Sequence, residues 1–271
     1  MSRDPVADRC GYDAAMAHTR SYRFLARPKW IAGHLLLAVT VVGFVNLGFW
    51  QLRRHDERSV INTVMSDRLA GPPMALPELI SSYGLDDDEL EFRRVTARGA
   101  YLLAEEVLWQ ARTLNGRSGH DVLTPLVVGG MAIVVNRGWV PIDATDPPVS
   151  GAEPASGSVV VTGVIRRGHG PGGLGPSNPD AGELQRTARV DIDRLQLQID
   201  LDLYPFYIQL DGQQPTQPAG LPIPQLAPSP DAGPHLSYAV QWFVFAAIAA
   251  VGYPILVWRT ASDEPVEDRR I

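Results

Sequence analysis

His235 is the residue in this chain best placed to do chemistry. It opens a segment, His235-Leu236-Ser237-Tyr238-Ala239-Val240-Gln241-Trp242-Phe243, that leads into an apolar run lasting to Trp258. A neutral imidazole at the edge of such a run could bind a metal or a haem iron half in water and half in lipid. The plainer reading is a helix-start histidine solvated by lipid headgroups. His55 follows a second apolar run, Trp30 to Trp50, and is a lesser ligand candidate because it borders Arg53 and Arg54. His34 lies roughly 24 Å from Trp50 by helix rise, too far to share an iron with His235. It reads as a packing or hydrogen-bonding residue.

Other chemistry has little to stand on. No Ser-His-Asp arrangement, phosphate-binding glycine loop or HExxH sequence is present, so an enzyme is not expected. The single cysteine, Cys10, leaves the rest of the chain without disulfide or thiolate metal site. Asp86-Asp87-Asp88-Glu89 lacks the spaced ligands of a calcium loop and reads as a solvated loop. A net charge of −6 and a pI near 5.5 provide no basic field for nucleic acid.

The elements that would position His235 and His55 are two helices. Each apolar run covers roughly 30 Å at helical rise, the thickness of a bilayer's hydrocarbon core. Trp30 and Trp258 would mark one interface, Trp50 and Trp242 the other, with Lys29, Arg53, Arg54 and Arg259 just outside. Charges gather at the ends and none lie within, which sets aside two buried helices of a soluble protein. Trp50, Arg53, Arg54, Tyr238, Gln241 and Trp242 cluster at one mouth of this hairpin as candidate partner-binding residues. Asn46 and Gln241 could pair the two helices by a hydrogen bond, and Ala246 with Ala250 permits close approach of another helix.

Arginines on the two flanks of the first run nearly balance. Arg3, Arg9, Arg259, Arg269 and Arg270 tip the bias towards both termini inside and the middle of the chain outside. Asp4, Asp8 and Asp13 in the leading tail speak against a mitochondrial transit peptide, so a bacterial plasma membrane is expected. The expected layout is a cytoplasmic tail over 1–29, a transmembrane helix over 30–52, an extracytoplasmic domain over 53–234, a second transmembrane helix over 235–258 and a cytoplasmic tail over 259–271.

Within the middle, Glu57 to Leu69 has helical spacing, stopped by Gly71-Pro72-Pro73. Phe92 to Leu102, Glu106 to Arg112, Asp121 to Val128, Met131 to Val135, Trp139 to Ile142, Ser158 to Ile165 and Tyr204 to Leu210 read as strands, and Asp191 to Asp200 as a helix capped by Asp191. The expected fold is a membrane α+β protein whose domain holds an antiparallel sheet or small β-barrel with short helices. Gly168 to Gly182 reads as loop, and Gln213 to Pro234 as a stiff proline-rich tether. Asn136-Arg137-Gly138-Trp139-Val140-Pro141 joins two strands and reads either as a partner-binding corner exposing Arg137 beside Trp139, or as a tight turn with a buried tryptophan.

At Leu47-Gly48-Phe49-Trp50-Gln51-Leu52-Arg53-Arg54, Phe92-Arg93-Arg94-Val95 with Gly99 and Tyr101, Thr124-Pro125-Leu126, the Asn136 to Pro141 stretch and the segment opened by His235, the chain resembles the SURF1 family of cytochrome c oxidase assembly factors. The resemblance runs the length of the chain and rests on these motifs occurring in this order. It implies an integral membrane factor that helps mature the catalytic subunit of a haem-copper oxidase and handles haem a, with His235 at the position of the haem ligand in bacterial relatives. Haem propionates would then point towards Arg53 or Arg54. Partners would be cytochrome c oxidase subunits, alone or within a respiratory supercomplex. A second reading is a stable accessory subunit of the mature oxidase without cofactor. A sensor or transporter fits poorly, because one hairpin makes no translocation path.

Overall fold

The structure, a computed structural model, describes residues 22–263 apart from 86, 171–175, 219 and 228. Cys10, the charged residues of the leading tail up to Arg20, Asp86, Arg269 and Arg270, on which expectations rested, lie outside the described residues. The chain divides into two units, residues 1–58 with 232–271, and residues 59–231.

The first unit is built on two helices. α1 (Pro28–Ala70) has 43 residues and α5 (His235–Asp263) has 29. Both are long and apolar enough to cross a membrane, and only 6% of each apolar window is buried within the chain. No glycine or proline interrupts α1 between Arg53 and Ala70, and an Arg54–Glu57 ion pair of 2.8 Å supports the turn at their junction. The expected helix over 57–69 is therefore the continuation of the first helix, and Gly71 follows its end as expected. Along that continuation Met65 is buried, whereas Val60, Ile61 and Val64 are exposed.

Where the helices meet, small side chains let them close. Gly48 is buried, and a Cβ there would come within 2.6 Å of the Phe243 ring. Ala239 and Ala246, seven residues apart, are buried on α5, while Ala250 is exposed. Within the chain the close approach therefore uses an Ala239–Ala246 step, and Ala250 of the expected Ala246–Ala250 step does not take part. Phe44 packs on Trp242 and Phe245, and Phe49 on Phe243. His34 Nδ1 and Tyr253 Oη share a 2.5 Å hydrogen bond, which is the hydrogen-bonding role expected of His34. Asn46 and Gln241 do not pair: Asn46 donates to Val42 O of its own helix at 2.8 Å, and both side chains are exposed.

The second unit is a sheet of eight strands. Five close a ring: β2 (Arg94–Tyr101), β6 (Val159–Arg167), β8 (Leu203–Gln214), β5 (Met131–Pro141) and β4 (Arg117–Val128), with β4 returning to β2 at Ala100↔Val127 and Tyr101↔Leu126. Closure removes the sheet edges that would otherwise present unpaired amides. The small-barrel expectation fits this ring. The sheet is not purely antiparallel, however, because β5 and β8 run parallel, as do the two-residue strands β1 (Met74–Ala75) with β2 and β7 (Arg186–Thr187) with β3 (Val107–Leu114). Parallel neighbours need a long crossover, and β5 and β8 are joined by the stretch over residues 142–202, which includes β6 and β7.

Turn chemistry sets much of the register. Asn115 and Gly116 both have positive φ, as the tight β3–β4 hairpin requires, and Gly129-Gly130 turns β4 into β5. One face of the sheet buries Val95, Leu126, Ile133, Ile165 and Phe206 together with Leu76 and Leu79 of α2 (Leu76–Tyr83). The other buries Val107, Val134 and Tyr207 under Ile192 and Leu195 of α4 (Ile192–Gln196). Asp191 caps α4 as expected, its Oδ1 accepting from Arg194 N at 3.1 Å. α2, which carries a proline in its first turn, has no counterpart in the sequence reading, and the short α3 (Asp87–Leu90) replaces the loop expected at the acidic run.

The first half of the expected tether is not free chain. Ile223 exchanges two backbone hydrogen bonds of 2.8 Å with Trp139, Gln217 accepts from Arg137 Nη2, and Gln225 donates to Asp121.

Candidate functional site

The candidate site of the first unit is centred on His235. As the first residue of α5, it is followed by backbone capping contacts: Tyr238 N and Ser237 Oγ both donate to Pro234 O. This fixes the entry of the helix and half-buries the imidazole. His235 Nδ1 lies 2.9 Å from Gln51 Oε1 on α1. An amide oxygen only accepts, so Nδ1 carries the proton and donates, leaving the Nε2 lone pair for a ligand. Holding one ring nitrogen by a hydrogen bond while the other is open is how proteins orient metal-binding histidines.

His55 stands one helical turn beyond Gln51 on α1, half-buried. Its Nδ1 is buried and has no hydrogen-bond partner among the described residues. A buried polar atom without a partner costs about 1–3 kcal/mol and calls for an explanation, such as a ligand. Arg53 is exposed and has no ion-pair partner among the described residues, whereas Arg54 is engaged with Glu57. Of the two arginines expected to meet an anionic group, Arg53 is the uncommitted one.

Aromatic side chains supply the rest of the surroundings. Trp242 is half-buried, with ring centroids 5.4 Å from Phe44 and 5.9 Å from Phe245. Tyr238 and Trp50 are exposed at 47% each, and Gln241 is exposed with them. The structure thus joins His235 to Gln51 and leaves Trp50, Arg53, Tyr238 and Gln241 open for contact. Among the described residues no group of three or more His, Cys, Asp or Glu side chains forms a metal cluster. Any iron held here would depend on one or two imidazoles. A separate apolar cavity of about 800 Å³ lies beside His34, Tyr253 and Trp258.

Arg137 and Trp139 are elsewhere and in a different state from the exposed corner expected of them. They are 0% and 2% exposed, so the tryptophan is buried and neither side chain is open to a partner, but the expected tight turn between two strands is absent, because Met131–Pro141 form the single strand β5. The reason is a β-bulge. Val122 pairs with Gly138 and Leu123 with Asn136, so Arg137 is an extra residue in a single strand and its side chain turns inward. There Arg137 Nη1 donates to Glu106 Oε2 at 3.0 Å, and Nη2 to Ala152 O and Gln217 Oε1. Glu106 also accepts from Val149 N and Thr124 Oγ1. Burial pushes the Glu106 carboxyl up, and the Val149 amide, Arg137 and Thr124 act against it. Beside this group, Asp121 accepts from Arg112, Asn136 and Gln225.

Sequence reasoning missed Gln51, Gln217 and Gln225. Gln51 was legible only as part of a motif. The other two were hidden inside a proline-rich stretch whose composition reads as tether.

The SURF1 family profile matches residues 38–247. A SURF1-like protein of Mycobacterium bovis is 31% identical, covering 84% of this chain and 83% of its own length. Surfeit locus protein 1 of Homo sapiens is 26% identical over 88% of this chain and 80% of its own. Cytochrome oxidase assembly protein SHY1 of Saccharomyces cerevisiae is 28% identical over 44% of this chain and 30% of its own.

Proposed function

Because this chain belongs to the SURF1 family, we propose that it is an integral membrane factor for the assembly of a haem-copper cytochrome c oxidase, and that it handles haem a through His235. The observation that carries the haem reading is the hydrogen bond from His235 Nδ1 to Gln51, which leaves Nε2 as the ligating nitrogen. The partnerless His55 Nδ1 and the uncommitted Arg53 support the same site, one as a second ligand and the other as a counter-charge for a propionate. Trp242 and Phe44 give the macrocycle an apolar wall.

Membrane insertion is supported by two apolar helices whose surfaces are almost wholly unburied by the chain itself. In this reading both termini are cytoplasmic, the barrel is extracytoplasmic, and the membrane is that of a bacterial cell. Haem is the cargo, delivered to the oxidase's catalytic subunit while that subunit is immature.

The test is a mild-detergent affinity purification with subunit stoichiometry and a haem spectrum taken on the same sample. Substoichiometric oxidase, with haem retained by the native chain and lost in His235→Ala, is the expected result. Oxidase subunits at near-equal amounts, with no haem dependent on His235, would replace this reading with that of a resident accessory subunit.

A further inference from the structure

We propose that the face of α1 turned away from α5 is a self-association seam, through which two copies of the chain pair in parallel with Asn46 against Asn46 of the second copy. The proposal rests on reading the helical hairpin as membrane-spanning.

The seam is a heptad pattern. Ala32, Leu36, Val39, Gly43, Asn46 and Trp50 follow one another at steps of four, three, four, three and four, the spacing of a two-helix interface. All six are exposed, Leu36 at 69%, Val39 at 70% and Trp50 at 47%. At about 100° per residue they occupy the side of α1 opposite His34, Phe44, Gly48 and Gln51, which meet α5. Exposed apolar residues on such a helix are satisfied by lipid and by themselves indicate nothing.

Asn46 is different. It lies about 6 Å inside the level of Trp50, and its Nδ2 donates back to Val42 O, which draws the amide deeper rather than towards water. Its remaining N–H and its Oδ1 have no partner among the described residues. Hydrocarbon offers them none, so a neighbouring helix must.

The chemistry favours a second copy as that neighbour. Copies of one chain insert in the same orientation, so an α1–α1 pair is parallel and a two-fold axis sets each seam residue against itself. A carboxamide carries both donor and acceptor and is complementary to itself in that arrangement. Gly43, one turn below, has open space where a Cβ would stand, and lets the backbones approach. A single polar residue in an otherwise apolar heptad seam is a device for fixing register and partner number.

The test is disulfide cross-linking of the full chain in carbonate-washed membranes, in a Cys10→Ser background. Failure of the membrane reading would appear as loss of the chain from that fraction, and failure of the pairing as monomer within it. Gly43→Cys and Trp50→Cys are expected to give a species of twice the chain's mass, and Val42→Cys, one residue or about 100° round the helix, to give little. Adding Asn46→Leu to Gly43→Cys should lower the cross-linked fraction about fivefold, the effect of losing an interhelical hydrogen bond. Monomer at all three positions, equal yields including Val42→Cys, or cross-links only to a different protein would each overturn the proposal.

Discussion

His235 and Gln51 lie on different helices, 184 residues apart in sequence, and are joined by a 2.9 Å hydrogen bond that leaves one imidazole nitrogen free. If Gln51 positions the ring, Gln51→Leu should weaken haem binding by about 10- to 100-fold without abolishing it, as loss of a partner behind a ligating histidine does. His235→Ala should abolish it. Haem titration of the detergent-solubilised protein, followed by absorbance, separates the two; equal affinities for native chain and Gln51→Leu would remove Gln51 from the site.

The Arg137–Glu106 pair predicts an asymmetric response to mutation. Arg137→Met would leave Glu106, 4% exposed, without its counter-charge, at a cost of about 3–5 kcal/mol. Combining Arg137→Met with Glu106→Gln removes the buried charge as well and should recover much of that loss. Equilibrium unfolding followed by tryptophan fluorescence, in the double-mutant arrangement, measures the difference.

Gly138 predicts a steric consequence. Its φ is +130°, and a Cβ there would come within 2.2 Å of Ile223 O. Gly138→Ala should cost about 1–3 kcal/mol in backbone strain and lift the proline-rich segment off Trp139. Limited proteolysis between residues 215 and 225 should accelerate. Unchanged cleavage would mean that the segment is held mainly by Gln217 and Gln225.

His120 predicts a pH dependence. It is 5% exposed with a partnerless Nδ1, and burial, then Arg186, hold its pKa below the usual 6.5, against the Ile142 backbone contact and Asp121. The unfolded chain therefore binds this proton more readily than the folded one. Its contribution to stability is fully present above about pH 6.5 and is lost as pH falls through the lowered folded value. Burial raises the Glu106 and Asp121 carboxyls, so their contributions run the other way, present at acid pH and lost as pH rises through the folded values. The His120 part is isolated by difference: the stability of the native chain relative to His120→Gln should fall as pH drops below about 6.5, read from unfolding midpoints of the two proteins, and a constant difference would remove His120 from the pH dependence.

Several features were legible in the residues alone because each arises from local pattern. Two apolar runs of bilayer length became α1 and α5, alternating β-branched segments became strands, and Asn115-Gly116 made the hairpin that such a pair makes. Asp191 capped the helix it precedes. The place of His235 at the start of an apolar run likewise marked it as the residue that opens α5.

Other features depended on residues distant in sequence. Whether Arg137 faced solvent turned on a one-residue bulge in β5, and a shift of one residue sends a strand's side chain to the opposite face. The proline-rich segment was held by Gln217 meeting Arg137 and Gln225 meeting Asp121, partners 80 and 104 residues away, which composition cannot reveal. Asn46 faced outward because Gly48 and Phe44, not Asn46, form the side of α1 that meets α5. Periodicity and turn chemistry determined which segments are helix and strand; long-range pairing and packing decided which polar groups are buried, which are satisfied and which remain open to a ligand or a partner.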